Sequence, residues 1–418
     1  MAIPRARPAG AIARIAISGG RYPPAVPSSV THLTCSRCGR THDHRAQNHL
    51  CPCGGPLLVE YDLGDVARRS SRDEVAARAT LGMWRYLELL PVEDPARIVH
   101  LGEGWTPLVE SARLAARLRI RSVHVKDEGL NPTGTFKARG AASGVTAAAE
   151  RGAGDLALPT AGNAGVAWAA YAAAAGLSVH VAMPRDAPDP NVAATRLLGA
   201  DLTLVDGLIS DAGRVVAEGV ASRGWYDAGT LREPYRVEGK KTLGFEIAEQ
   251  LGWRFPDAVV YPAGGGVGLI GMWRAFAQLR DLGWVLGKVP RLIVTQSEGC
   301  APLVRAFESD ADAAEPWEGA ATIAHGLRVP APLGDRLVLR AIRETGGTAV
   351  AVADEEIVAA QGLLASATGV LASPEGAAPL AAAVRLVEGG DLEADDRVVL
   401  VNTGTALAAG SSDDRPLP

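Results

Sequence analysis

From about residue 97 the chain alternates short apolar runs, rich in β-branched residues, with longer stretches of helical length, and this alternation limits the fold more than any other feature. "VHVKDE", "LALPTA", "SVHVAMP" and "DLTLVDG" have strand length, while "GNAGVAWAAYAAAAG", "NVAATRLLGA" and "SDAGRVVAEGVASRG" have the Ala/Leu content of helices. "DAVVYPAGGGVGLIGMWRAFAQL", "RLIVTQSE" and "DRVVLVNTGTAL" continue the pattern. Strands alternating with helices of about 10–15 residues build parallel, doubly wound sheets. Residues 97–418 are therefore expected to be α/β: two open parallel-sheet domains with a ligand cleft between them, the smaller spanning about 140–230.

The composition narrows the partners. With 47% hydrophobic residues and a formal net charge of −5, the chain can bury a core but has no basic field for nucleic acid or an anionic membrane. Apolar stretches such as "VAWAAYAAAAGL" fall short of the 18 or so residues that a membrane helix needs. A small-molecule partner is expected, without nucleic acid or membrane. Five cysteines are too few for a disulfide framework, which points to a reducing cytoplasm.

Four of those cysteines lie near the N-terminus. Residues 1–30 carry Arg5, Arg7, Arg14 and Arg21 among five prolines with no acid, and read as a disordered leader or over-extended start rather than a targeting peptide. In residues 31–62, Cys35 and Cys38 form a CxxC knuckle and Cys51 and Cys53 a CxC. Four thiolates on two tight turns suit a tetrahedral structural zinc, with Gly39, Gly54 and Gly55 supplying backbone freedom. The CxC half leaves His42, His44 or His49 as a substitute ligand, and metal-free knuckles as the alternative. Such a ribbon leaves no open coordination position, so it would stabilise rather than catalyse. A nucleic-acid ribbon is disfavoured because basic and aromatic residues do not interleave there. Residues 63–96 are charged, helical in tendency and closed by Pro91 and Pro95, and read as a linker helix region.

The chemistry-bearing motifs lie at strand ends. In "VVYPAGGGVGLIGMW" a strand, a glycine loop and a helix start follow one another, which points backbone N–H groups at a phosphate. Gly266, Gly268 and Gly271 also satisfy GxGxxG with Glu298 after the next strand, so an NAD-dependent oxidoreductase is one reading. Another is a phosphate monoester cupped by Gly264, Gly265, Gly266, Val267 and Gly268. If that phosphate is pyridoxal 5′-phosphate, the site also needs an amine for C4′ and partners for the ring oxygen and nitrogen. Lys137 in "NPTGTFKARGA", Asn163 in "PTAGNAG" and Thr403 in "VNTGTAL" offer them. Singly these residues suit a surface charge, a helix N-cap and a strand-end hydroxyl. Together, each at the C-terminal end of an expected strand, they suit a cofactor site.

"KDEGLNPTGTFKARG", "AGNAGVAWAAYAAAAGL", "PYRVEGKKTLGFEIAEQL", "GGGVGLIGMWRAF" and "PEGAAPLAA" resemble threonine synthase and its near relatives, the fold-type II pyridoxal-phosphate enzymes. The resemblance covers about residues 33–407. It implies a tryptophan synthase β-like fold, a zinc-ribbon-like N-terminal segment, a homodimer, and conversion of O-phospho-L-homoserine and water to L-threonine and phosphate. It further implies Lys137 as Schiff-base lysine with Phe136 beside the ring, Asn163 on O3′, the glycine loop on the phosphate, and Thr403 on the pyridine nitrogen. Arg236 would contact the substrate phosphate, with Lys240 and Lys241 as weaker candidates and an Arg236 surface pair to Glu233 or Glu238 as the alternative. Thr160 and Gly162 would line the substrate turn. The chain departs from the family at Ala138, where an Asp is common, and at Ala161, where a hydroxyl often binds the substrate carboxylate. That departure keeps open a related β-replacement or β-elimination enzyme acting on phosphoserine, serine or threonine, cysteate synthase-like or dehydratase-like.

Overall fold

A computed structural model describes residues 28–79 and 82–408. The expected leader lies outside the described residues, apart from its last three. Those are tied to the body: Ser28 Oγ donates to Leu90 O at 2.6 Å and Ser29 N to Glu88 O at 3.2 Å.

The cysteine segment is a small antiparallel sheet, ordered β2-β1-β3, of β1 (Val30–Cys35), β2 (Thr41–His42) and β3 (Leu57–Tyr61). Gly39 and Gly54 turn its knuckles at φ 71° and 78°, a region that favours glycine. Leu33, Cys35, Cys51, Leu57 and Val59 pack on Ala147 and Tyr235 of the main body.

The described residues of 63–96 form two short helices, a 3₁₀ segment and the start of a second one, Pro95–Arg97, rather than one linker helix. α1 (Leu63–Arg69) and α2 (Arg72–Ala76) part at Ser70 and Ser71, where Ser71 Oγ accepts from Glu74 N and the Glu74 carboxylate accepts from Ser71 N. This capping box starts a new helix instead of extending the first. The 3₁₀ segment Met83–Leu89 buries Met83, Trp84, Tyr86, Leu87 and Leu89, so it belongs to the core.

The main body begins with β4 (Leu108–Glu110), α3 (Ala112–Leu118), β5 (Ser122–Asp127) and α4 (Lys137–Glu150). The smaller block follows as β6 (Asp155–Pro159), α5 (Asn163–Ala175), β7 (Ser178–Pro184), α6 (Asp189–Leu197), β8 (Asp201–Val205), α7 (Ile209–Arg223) and β9 (Tyr226–Asp227). Its sheet is parallel throughout, in the order β8-β7-β6-β9. The chain returns through α8 (Tyr235–Gln250), β10 (Ala258–Pro262), α9 (Val267–Asp281), β11 (Arg291–Ser297), α10 (Pro302–Glu308) and α11 (Asp335–Thr345). It ends with β12 (Ala349–Val352), α12 (Asp354–Thr368), α13 (Pro374–Gly389) and β13 (Arg397–Asn402). The larger sheet is ordered β12-β11-β10-β13-β5-β4, parallel except for its edge strand β4. Residues 111–121, which join β4 to β5, are fewer than the dozen or more that a parallel crossover requires, so this pair is antiparallel.

α4 and α8 cross in close contact. A Cβ on Gly239 would overlap Arg139 O, and one on Gly140 would lie 3.0 Å from Lys240 Cε. Beside this crossing, four fully buried charges are locked together. Arg139 meets Glu128 through Nε at 2.6 Å and Nη2 at 2.7 Å, and Glu246 through Nη1 at 2.6 Å and Nη2 at 2.7 Å. Lys126 Nζ reaches Glu246 at 2.8 Å and Thr106 O at 2.7 Å. Burial alone would push the Glu246 carboxyl up, but Arg139 and Lys126 hold it at about 2. Arg139→Met would leave the buried Glu128 carboxylate without a cation and Glu246 with Lys126 alone. Denaturant unfolding should show a loss of about 3–5 kcal/mol, and a loss under about 1 kcal/mol would deny the network its structural role.

Candidate active site

Lys137 opens α4 at the end of the loop that leaves β5, and its side chain is half-buried at the cleft. Two backbone bonds of the Thr135–Gly404 bridge fix the loop against the segment after β13: Phe136 N donates to Thr403 O at 3.0 Å and Thr405 N to Gly134 O at 2.9 Å. The lysine and Thr403, far apart in sequence, are thereby brought together. The Thr403 turn is fixed in its own right, because Asn402 Nδ2 donates to Asp127 at 2.8 Å and Asn402 Oδ1 accepts from Gly404 N at 3.2 Å.

The Phe136 ring lies 4.6 Å from Lys137 Nζ and 4.4 Å from Lys240 Nζ, measured to its centroid. Burial, assisted by the nearby Arg236 charge, lowers the Lys137 ammonium to about 8, while Glu375 opposes the shift. Glu375 is steadied by Gly326 N, which donates to it at 2.6 Å.

Asn163 is the first residue of α5, where Gly162 holds the cap position and no side chain caps the helix. The N-cap reading of Asn163 is therefore replaced: its amide is not consumed by the helix start. Gly162 has φ 147°, and Thr160 Oγ1 accepts from its N–H at 3.2 Å. A Cβ on Gly162 would overlap the amide of Asn191, so this turn admits no side chain.

In the glycine loop, Gly266 (φ 70°) caps α9, and Ile270 N donates to Gly266 O at 3.0 Å. The amides ahead of Ile270 have no earlier helical carbonyl to bond; Gly268 N–H faces the Tyr261 hydroxyl, and the others are left for an anion. Gly264 closes on Gly326 O, Gly266 on Val338 and Gly268 on the Tyr261 hydroxyl, whereas Gly265 keeps room, with Thr230 Cγ2 3.6 Å from a Cβ placed there. The GxGxxG match is explained by packing: a Cβ on Gly271 would meet Lys241 N of α8 at 2.8 Å. Glu298, the acid that a dinucleotide ribose would need, pairs with Arg385 at 2.9 Å.

Arg236 is buried rather than a surface arginine. Its Nε meets Glu233 at 2.9 Å, Nη1 meets Thr230 Oγ1 at 3.1 Å, and Nη2 donates to Ala228 O. Its guanidinium carbon stands 5.0 Å from the Trp168 ring centroid. Glu238, the other partner considered, instead binds Tyr61 Oη at 2.7 Å and Lys241. Glu233, Thr230, Trp168 and Glu375 are the neighbours that sequence reasoning missed as site residues. Glu233 had one faint signal, its position three residues before Arg236 at a helix start.

At the ribbon, the sulfurs of Cys35, Cys38, Cys51 and Cys53 lie within 4.8 Å of one another. Separations of 3.4 Å (Cys35 to Cys53), 3.5 Å (Cys38 to Cys53) and 3.7 Å (Cys38 to Cys51) approach the edge of about 3.8 Å of a tetrahedron with zinc–sulfur bonds of about 2.3 Å. Among the described residues no histidine joins this group.

Among the described residues, groups are thus left without a hydrogen-bond partner: the Lys137 amine, which also has no ion pair, the Asn163 amide, and the amides before Ile270 other than that of Gly268. With the Thr403 hydroxyl nearby, they fit a ligand with an aldehyde, a ring oxygen, a ring nitrogen and a phosphate, which is pyridoxal 5′-phosphate.

The known proteins point the same way. The family model described as pyridoxal-phosphate dependent enzyme matches residues 99–404. The threonine synthase of Methanocaldococcus jannaschii is 36% identical over 374 residues, 89% of this chain and 92% of that protein. That of Methanosarcina acetivorans is 37% identical over 378 residues, 90% of this chain and 92% of its own length. Among solved structures, a T.th. threonine deaminase superposes with a TM-score of 0.61 at 27% identity, covering 74% of this chain and 94% of that one. Maize serine racemase, at a TM-score of 0.63 and 23% identity over 72% of this chain and 87% of that one, shares the fold. With a family match across the whole main body and such identity over about nine-tenths of its length, this chain belongs to the pyridoxal-phosphate dependent enzymes, within the threonine synthase group.

Proposed function

We propose that the protein converts O-phospho-L-homoserine and water to L-threonine and phosphate. The observation that carries this reading is the half-buried Lys137 amine, without hydrogen bond or ion pair among the described residues, in a chain matching threonine synthases over about nine-tenths of its length. The cofactor supplies an electron sink that lets protons leave carbon next to the substrate amine. Lys137 would hold it through Nζ, with Phe136 beside the ring. Asn163 would donate to its ring oxygen, residues 264–268 would bind its phosphate, and Thr403 would offer its ring nitrogen a neutral hydroxyl. Lys137 Nζ, the amine beside the substrate's carbons, would take and return protons there. Thr160 and Gly162 shape the carboxylate turn, and Arg236, held by Glu233, Thr230 and Ala228 O, braces the wall near Lys137.

The expected outcome is phosphate release from O-phospho-L-homoserine with matching threonine formation. Release from phosphoserine alone would favour the β-replacement or β-elimination reading, which the missing hydroxyl at Ala161 supports. Lys137→Ala should abolish the visible absorption band and cut turnover by about 10³-fold or more. A band that survives in this variant excludes Lys137 as the anchor.

Capture of an aldehyde requires the neutral amine. Because burial disfavours the charged form, Lys137 becomes neutral above about pH 8 rather than above 10.5. Cofactor uptake by the stripped protein should therefore accelerate about tenfold per pH unit below that point and level off above it. A rate still climbing at the same slope to pH 10 would contradict the shift.

The same reading includes a structural zinc on Cys35, Cys38, Cys51 and Cys53, a cytoplasmic location, and a homodimer, for which the exposed Leu130, Leu371 and Leu407 around Thr405 offer apolar surface. Metal analysis should find about one zinc per chain, and chelation should lower the unfolding midpoint by several degrees. A zinc-free chain of undiminished midpoint would leave the ribbon held by packing alone.

A further inference from the structure

Lys240 is a second buried amine in the cleft, and the mechanism above does not use it. It is 3% exposed, and among the described residues it has neither a hydrogen bond nor an ion pair. Its contact is the Phe136 ring, 4.4 Å from Nζ to centroid, the same ring that lies 4.6 Å from Lys137 Nζ. The stem is held where α4 and α8 cross: Gly140 has no side chain, and a Cβ there would lie 3.0 Å from Lys240 Cε and 3.4 Å from Arg236 Cβ. The amine is thus aimed along the cleft face that Arg236 shares one helical turn earlier.

Charge pairing distinguishes the two. Arg236 is committed, with each guanidinium nitrogen donating to Glu233, Thr230 or Ala228 O. Glu375 faces Lys137 and accepts from Gly326 N. No carboxylate remains for Lys240. A buried ammonium without a counter-ion is costly, so such a side chain either stays neutral or receives its anion from a ligand. Burial, and then the charges of Lys137 and Arg236, hold the Lys240 ammonium well below its ordinary range, against a smaller pull from Glu233. An arriving dianion supplies the missing counter-charge and favours protonation of this amine.

We propose that Lys240 is the ligand for a phosphate monoester dianion in this cleft, and that the monoester it takes is the substrate's. It therefore selects a phosphorylated amino acid over its hydroxyl counterpart. The assignment rests on the pyridoxal-phosphate reading of the cleft and reverses the ranking of Arg236 above Lys240. Arg236, already satisfied, positions the wall, while Lys240 supplies the free charge.

The test uses the holoenzyme with Lys240→Met, which keeps the stem and removes the charge, and Lys240→Arg, which keeps the charge. Circular dichroism and the cofactor absorption band check that each variant is folded and loaded. Inorganic phosphate is the direct probe, titrated by intrinsic fluorescence, to which Trp168 beside Arg236 contributes. Lys240→Met should weaken phosphate binding and raise the KM for O-phospho-L-homoserine about 10- to 100-fold, with a smaller effect on kcat. The absorption change on adding L-homoserine and the cofactor's own affinity should stay unchanged, and Lys240→Arg should recover part of the phosphate affinity. Unchanged phosphate affinity overturns the proposal, as does an equal weakening toward L-homoserine. Weakened cofactor affinity with phosphate titration intact assigns Lys240 to the cofactor's tail and overturns the substrate assignment. If the wild-type enzyme releases no phosphate from O-phospho-L-homoserine, the proposed reaction fails, yet the inorganic phosphate titration still decides the role of Lys240.

Discussion

The Arg139 network is the constraint on which the cleft geometry depends. Arg139 lies two residues after Lys137, about 200° around the helix, so anchoring one side chain in the interior turns the other toward the cleft. On α8, Thr242 and Glu246 lie one turn apart and meet Arg139 Nη1 at 2.9 and 2.6 Å. Arg236 and Lys240, also one turn apart, lie on another face. Rotating either helix to bring a different residue into the cleft would pull a charge out of the network. Such a network need not add net stability over a well-packed apolar core. Here its two cations and two carboxylates fix the rotation of both helices at once.

That fixed rotation decides what the cleft is for. The network is charge-balanced and Arg236 is paired with Glu233, so the groups left over are the amines of Lys137 and Lys240 with Glu375 nearby. A chain with a formal net charge of −5 thus keeps two amines in the cleft without a paired carboxylate among the described residues, and an anionic ligand would favour their charged forms. Burial also keeps at least one of the amines poised to lose its proton, which nucleophilic attack on an aldehyde requires and a solvated lysine does not provide near neutral pH.

Most of the architecture was legible because βαβ units declare themselves locally. Short apolar runs, helical stretches and strand-end glycines are neighbours in sequence as well as in space, and the motif residues Lys137, Asn163, Gly266 and Thr403 all sit at such ends. The edge strand β4 was not legible, since a three-residue strand carries no alternation to read. The capping box at Ser71 was short-range but overlooked, and it turned an expected linker helix into two helices. Charge partners were the least legible part. Glu128 and Glu246 are 11 and 107 residues from Arg139, and nothing in a linear pattern separates a buried acid from a solvated one.

α8 shows why this limit is physical. "YRVEGKKTLGFEIAEQ" has the composition of a solvated helix, yet Tyr235 through Ala248 are all buried. A helix buried all round is ordinarily apolar all round. Here the polar groups are distributed among partners on different sides: Glu238 and Lys241 to Tyr61 of the ribbon, Thr242 and Glu246 to Arg139, and Arg236 to Glu233. Tyr235 Oη also donates to His44 O, between the two cysteine knuckles, at 2.7 Å. The ribbon, the charge network and the cleft therefore each grip one face of the same rod.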